Sequence, residues 1–375
     1  MVFWACLGLL VYTQCGYPLA LAALARAIPQ RRSPPPPPGE PPSVSLIVAA
    51  HDEGAVIGAK IANALEFDWP RELLELVVCC DGCSDDTAAR ARAAGADVVL
   101  ELARVGKVRA QDAGVVAARG ELLAFSDANA SWEPDAMREL AAAFGDREVG
   151  YACGQVRFVQ AAAGAGADNQ EGIYWRYEMA VRAAESRVRS VTAGNGAIYA
   201  VRREAYLVVD ERMGHDLSFP FNMVKRGWRA IYVPAARARE KMVPTLDGEF
   251  ARKRRMMSHA WPIVLRGGML SPRGYGPLYG WMILSHRVLR YAAPALHVIA
   301  LATNIALAGR GVVYDALLAA QLAVLLAAAA ATVVRWRPLL LARYYVLMNA
   351  SLAAGLWDYL RSGTPAGWDA PEGTR

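Results

Sequence analysis

Residues 122–132 read LLAFSDANASW, four apolar positions followed by a serine, an acid and, two places further on, an amide. A short apolar run without alternation belongs to a strand covered on both faces, the situation in a parallel sheet flanked by helices. In open sheets of that kind ligands bind beyond the carboxyl ends of the strands. Asp127 is therefore expected to point into the binding crevice. Two readings of the acid stay open. It can cap the turn before Trp132 and Pro134 start the next helix, or it can hold a hard divalent cation, Mg2+ or Mn2+, of the kind shared with substrate phosphates. In the second reading Asn129 is a weaker ligand or orders a metal-bound water. One carboxylate is a thin cage, so the phosphates of a diphosphate substrate would complete it.

Outward from this strand the same pattern recurs. VSLIVAA (44–50) is followed by HDEGAVIGAKIANAL with helical spacing, and LLELVVCC (73–80) by DGCSDDTAARARAAG, where Ser84 can cap a helix that Asp85 and Asp86 favour by their charge. ADVVLEL, then GKVRAQDAGVVAARG, then the opening strand complete an alternation with the spacing of a doubly wound α/β sheet. Three polar clusters converge on one sheet end: Asp52 with Glu53, Asp81 with Asp85, and Asp127 with Asn129. Neither Gly-x-Gly-x-x-Gly nor Gly-Lys-Ser/Thr occurs, so a dinucleotide fold and a phosphate-loop ATPase are unsupported.

The two ends of the chain have a different composition. Of 375 residues, 55% are hydrophobic and 20% charged, and the apolar ones gather at the termini. Met1 to Ala25 is uncharged, long enough to span a bilayer, and followed by Arg26, Arg31 and Arg32, which places the middle of the protein on the cytoplasmic side. A cleaved signal peptide fits less well, since no basic residue precedes the run. Tyr291–Gly309, Val312–Val334 and Pro338–Leu360 give three further spans. The expected organisation is a first span (1–28), a proline-rich linker (29–42), an α/β domain (43–250), basic and amphipathic interface helices (251–290), three spans (291–360) and a tail (361–375). The formal charge of +6 suits anionic lipid headgroups or a diphosphate better than nucleic acid, given these flanking spans. Cys80 and Cys83 lack a second ligand pair, so neither a structural zinc nor a disulfide is expected.

Five segments in order carry a resemblance: VSLIVAAHDEGAVI (44–57), VVCCDGCSDDTAARARAAGA (77–96), GKVRAQDAGVVAARGELLAFSDAN (106–129), TAGNGAIYAVRREAY (192–206) and GHDLSFPFNMVKRGWRAIYVPAARARE (214–240). Together they resemble the motifs of the membrane-associated family-2 glycosyltransferases, inverting enzymes of GT-A fold with a mixed central sheet, related to cellulose, hyaluronan and chitin synthases. The resemblance runs from about Pro42 to Trp261. It implies that Asp52 and Glu53 lie near the nucleoside, that Asp81 contacts the base with Asp85 supporting its loop, and that Lys107 lies near base or phosphates. It makes Asp127 the metal-binding acid of an Asp-x-Asp motif whose second acid is here Asn129. Gly194, Asn195 and Gly196 match the acceptor-side loop, although a plain glycine turn before a strand is the alternative. Asp216 matches the catalytic base, with His215 beside it the weaker candidate; a helix cap is the alternative for Asp216.

The family's Gln-x-x-Arg-Trp motif departs here to Arg252-Lys253-Arg254-Arg255-Met256. Arg255 retains a guanidinium for the diphosphate, while loss of the tryptophan favours addition of one or few sugars. The resemblance thus implies a nucleoside-diphosphate sugar donor, uridine by default, and a lipid-linked or glycan acceptor at a bacterial inner membrane. The rival is a processive polysaccharide synthase with coupled translocation; a binding-only domain or a transporter fits the retained acids and the spans less well.

Overall fold

The computed structural model describes residues 1–29, 41–159, 168–241 and 246–364. Most of the proline-rich linker and of the C-terminal tail lies outside the described residues. Helices α1 (Val2–Val11) and α2 (Tyr17–Ala27) are joined by a π turn at Tyr12–Gly16. Then come β1 (Val44–Ala50), α3 (Gly54–Leu65), β2 (Leu74–Asp81), α4 (Thr87–Ala93), β3 (Val98–Leu102), α5 (Lys107–Ala117), β4 (Leu122–Asp127), β5 (Ser131–Trp132), α6 (Ala136–Ala143) and β6 (Val149–Val159). The second half continues with α7 (Asp168–Val188), β7 (Ile198–Arg202), α8 (His215–Lys225), β8 (Arg229–Lys241) and α9 (Leu246–Leu265). Last are α10 (Pro277–Ile283), a π turn at Leu284–Val288, α11 (Leu289–Ile305), α12 (Val312–Ala330) and α13 (Arg337–Ser362).

The strands form one mixed sheet in the order β3-β2-β1-β4-β7-β6-β8-β5. β3, β2, β1 and β4 run parallel, as the βα alternation implied, while β7 is antiparallel to both β4 and β6. Successive side chains of β1 point to opposite faces: Leu46 and Val48 pack with Ile57, Ile61 and Leu140, and Ile47 packs with Val77, Phe125 and Tyr199. Both faces are covered by helices, which is why these strands are apolar at most positions on both faces. The six cysteines are all free thiols.

Among the described residues, four helices are long and apolar enough to cross a membrane: Val2–Ala27, Pro277–Ile305, Val312–Ala330 and Arg337–Ser362. The second starts at Pro277, where sequence put interface helices as far as residue 290. His286, Arg287 and Arg290 interrupt the apolar run, but all three turn onto α7, where Glu178 and Glu185 face them. Charges neutralised against the α/β domain do not stop a membrane helix, because none of them has to meet lipid. α9 retains the expected basic, amphipathic character and packs on α13, with Arg254 gripping Asp358 through two bonds of 2.6 Å and Trp261 Nε1 donating to the Leu352 carbonyl (3.1 Å).

Candidate active site

The carboxyl ends of β1 and β2 are tied together by their acids. Asp81, the last residue of β2, accepts the backbone N–H groups of Val105 (2.6 Å) and Gly106 (3.0 Å) and so holds the loop that starts α5. Asp52 sits at φ 50°, in the left-handed region that side-chain-bearing residues rarely adopt. It accepts from the Ser84 and Asp85 amides at 2.7 and 3.3 Å. The Ser84 amide holds its carboxyl below the usual range. Asp85 accepts from the Gly54 amide (2.9 Å) and the Thr87 amide (3.0 Å). Burial opposes its charge, but these bonds outweigh it and its pKa falls. The Glu53 amide donates to Thr87 Oγ1 (2.9 Å), and its carbonyl starts α3. His51, Asp52 and Cys83 bring ligand atoms within 4.8 Å of one another, but His51 Nδ1 already donates to the Asp81 carbonyl (2.7 Å). Asp52, Glu53, Asp81 and Asp85 therefore form one interlocked rim.

Asp127 ends β4 one strand away. Its carbonyl accepts the Ala130 N–H at 3.2 Å, closing the turn that carries Asn129, and Trp132 clamps that turn by exchanging bonds of 2.8 and 2.9 Å with the Asn63 side chain. The Asp127 carboxylate is not used as a cap. It faces the Lys107 ammonium, the first residue of α5, in a direct ion pair. Burial opposes the charge on Lys107, yet Asp127, Asp216 and Glu240 together hold its pKa above the ordinary value. Lys107 is the hinge of the site, since it lies in the field of both the strand-tip acid and Asp216.

Asp216 stands in the first turn of α8, and its backbone carbonyl accepts the Gly194 N–H at 2.6 Å. A Cβ placed on Gly196 would lie 3.9 Å from Asp216 Cβ and 4.0 Å from Lys107 Nζ, so the glycine loop, the base candidate and the lysine lie against one another. Burial raises the Asp216 pKa, and the neighbouring Lys107 charge opposes the shift. Asn195 offers a buried Nδ2 donor with no partner among the described residues. Gly194 is needed for space: a Cβ there would fall 1.8 Å from Tyr151 Oη. Gly194→Ala is accordingly expected to cost about 1–3 kcal/mol of stability by overpacking and to push the loop off Asp216, measured by denaturant unfolding alongside activity.

Residues 41–258, more than half of the 375, match the family model described as "Glycosyltransferase like family 2". The chain belongs to this family. An N-acetylglucosaminyltransferase of Rhizobium leguminosarum bv. viciae is 27% identical over 239 residues, which are 56% of this chain and 54% of that protein. The chain thus spans about half the length of that curated relative. A mannosyltransferase of Pyrobaculum calidifontis, solved with GDP-Man and Mn2+, superposes with a TM-score of 0.74 at 22% identity, covering 96% of this chain and 99% of the other. That likeness establishes a GT-A-like fold and extends over the long apolar helices. Residues 41–258 are thus a family-2 glycosyltransferase domain.

In this glycosyltransferase the structure adds residues that motif reading passed over. Glu240 lies on β8, and the register that sets Ser131 opposite Arg239 carries it level with Ala130 of the Asp127 turn. Burial, then the Asp127 charge, push Glu240 up to about 7. Lys60, buried, donates to the Ala130 carbonyl at 2.8 Å, and burial lowers it to about 7 against the pull of Asp127 and Glu240. A signal existed for Glu240: in ARARE it falls in phase with the buried Ala236 and Ala238. Arg182 of α7, 8% exposed and paired with no carboxylate among the described residues, lies over the Tyr232 ring (5.8 Å). Its charge favours ionised Asp216. His215 lies in an aromatic cluster, stacked on Phe219 at 4.1 Å with Nδ1 bonded to Tyr199 Oη at 2.8 Å. Burial and then Lys107 depress its pKa to about 3, a poor match for a base. α9 brings Arg252 into the field of Glu240; Arg255, three residues on, gives its carbonyl to His259 Nδ1 (3.0 Å).

Proposed function

We propose that this enzyme transfers a sugar from a nucleoside-diphosphate sugar to a lipid-linked or glycan acceptor at the cytoplasmic face of a bacterial membrane, with inversion at the anomeric carbon. The observation that carries the reading is Lys107, which pairs with Asp127 and whose ammonium lies with Asp216 on the open side of Gly196. A donor whose diphosphate lies at Asp127 would then have its sugar beside Asp216.

The donor set suits a hard cation. Asp127, and Glu240 level with its turn, supply carboxylate oxygens, and the Lys107 ammonium shows that the Asp127 carboxylate is arranged to meet positive charge. Asp127, with Glu240 and Asn129 close by, would hold Mg2+ or Mn2+, which when bound would offset the charge growing on the departing diphosphate. Among the chain's own groups, Lys107 gives the same electrostatic help from its fixed place, with Arg255 proposed to join it on the phosphates. Asp52, Glu53, Asp81 and Asp85 form the rim proposed to receive the nucleoside. Asp216 takes the acceptor hydroxyl proton as general base, and Asn195, Gly194 and Gly196 bind the acceptor side. His215 supports α8 behind them.

Two supports come from related proteins: the Rhizobium relative is named for transfer of an N-acetylglucosaminyl group, and the Pyrobaculum enzyme was solved with a nucleotide sugar and Mn2+. The uridine default and a guanosine donor are therefore both tested. The decisive experiment is a panel of UDP- and GDP-sugars with membrane lipid extract, followed by mass measurement of the product. One added hexose unit on a lipid is expected; a ladder of polymer would favour the processive synthase, and no nucleoside diphosphate released from any donor would reject transfer.

The raised pKa of Asp216 carries a pH consequence. A general base works only when ionised, so kcat/KM is expected to fall as pH drops through a value above the ordinary aspartate range. Lys107 opposes that rise, so Lys107→Met is expected to move the acid limb to higher pH. An acid limb left in place by Lys107→Met would detach the limb from Asp216.

A further inference from the structure

The loop that carries Gly194 to Gly196 is held from the membrane side by a buried polar assembly that the reaction chemistry does not use. Glu185 of α7 is fully buried. It accepts Tyr17 Oη at 2.8 Å from the first spanning helix, His286 Nδ1 at 2.7 Å from the second, and the Thr192 N–H at 3.0 Å from the loop itself. Arg287 Nε donates to Thr192 Oγ1 (2.9 Å), and Tyr279 Oη donates to the Val191 carbonyl (2.9 Å). Two residues on, the Gly194 N–H reaches the Asp216 carbonyl. Hydrogen bonds thus run from two spanning helices through Glu185 to Thr192, and two residues along the chain from Gly194 to the backbone of Asp216.

The assembly is balanced in charge. With His286 donating from Nδ1 to Glu185 and accepting at Nε2 from Arg290 (3.0 Å), the carboxylates of Glu178 and Glu185 match the guanidiniums of Arg287 and Arg290. A buried network so fully satisfied fixes one arrangement, whereas removing a single partner leaves a costly unpaired group. Both spanning helices also widen to a π turn where they meet α7, and these turns touch through Tyr12 Oη and Ser285 Oγ at 2.8 Å. π turns inside long helices are uncommon and gather at functional sites. His286 and Arg287 sit in one of them, and Tyr17 directly follows the other.

We propose that Glu185 is a positioning residue through which the first two spanning helices set the acceptor loop against Asp216, so that transfer to the acceptor depends on it and donor binding does not. The proposal rests on reading that loop as the acceptor side.

The test uses the full chain in lipid nanodiscs, with Glu185→Gln, which puts an amide donor against either the Thr192 N–H or the Tyr17 hydroxyl and His286 Nδ1, and Tyr17→Phe, which removes one hydroxyl and leaves the charges balanced. Transfer turnover, nucleoside diphosphate affinity, and amide hydrogen exchange over residues 191–196 are measured on each. Glu185→Gln is expected to slow transfer about 10- to 100-fold, as a small misplacement of a reacting group does, with donor affinity within about twofold and faster exchange at Thr192. Tyr17→Phe is expected to act in the same direction and less. Unchanged exchange and turnover in both variants would overturn the proposal, as would donor affinity falling in step with turnover. If the unaltered enzyme transferred no sugar, the acceptor-loop reading would fail on its own, while the exchange measurement would still decide whether the membrane helices hold the loop.

Discussion

Replacing Asp216 with asparagine is expected to lower sugar transfer about a thousandfold, within the span that loss of a positioned general base produces, while nucleoside diphosphate affinity stays within about twofold. Asparagine keeps the volume and can still accept the Leu217 N–H, which Asp216 Oδ1 takes at 3.0 Å, so α8 and its contact with Gly194 are preserved. What is lost is the ability to take a proton. Such an interaction matters in the transition state and little in the ground state, so kcat and kcat/KM fall together. Transfer assays over a range of pH, beside calorimetry for the nucleotide, make the check. Near-native turnover at every pH would remove Asp216 from the mechanism.

Asp127→Ala should fail differently. Loss of the strand-tip carboxylate is expected to abolish the metal-dependent part of nucleoside diphosphate binding and to lower turnover by about 10²–10³, the scale seen when a preorganised electrostatic group is deleted. The Lys107 ammonium, which Asp127 pairs, would be left facing Asp216 and Glu240, so the pH profile should shift as well. Calorimetry with and without Mn2+ settles the assignment; a metal-dependent affinity unchanged by the substitution rejects it. The contrast between the two variants is the stronger test, because a general loss of folding would lower both quantities in both proteins.

Much of the α/β half was legible because its physics is local. β1, β2 and β4 are short apolar runs that end in polar residues, and a strand buried on both faces has no other way to be written. The turn after Asp127 and the glycine loop at 194–196 were visible for the same reason. Residues 284–290 look interfacial in sequence, yet they belong to an apolar helix running from Pro277 to Ile305, where Glu178 and Glu185, about a hundred positions earlier, face their charges. Glu240 was missed because its importance lies in standing level with Ala130 across β5 and β8, a pairing no local pattern announces. His215, adjacent to the proposed base in sequence, lies in an aromatic cluster, as neighbours on a helix point in directions 100° apart.

By itself the sequence determined the alternating strands and helices, the acids at the strand ends, the apolar termini and the family. Tertiary structure alone decided that Lys107 pairs with Asp127 in the field of Asp216 and Glu240, and that Tyr17 and His286, from two long apolar helices, meet the residues before Gly194 through Glu185. The division follows from range: periodicity and turn chemistry act over a few residues and are written in order along the chain, whereas ion pairs and buried hydrogen bonds depend on distances that exist only after the sheet and the membrane helices have packed.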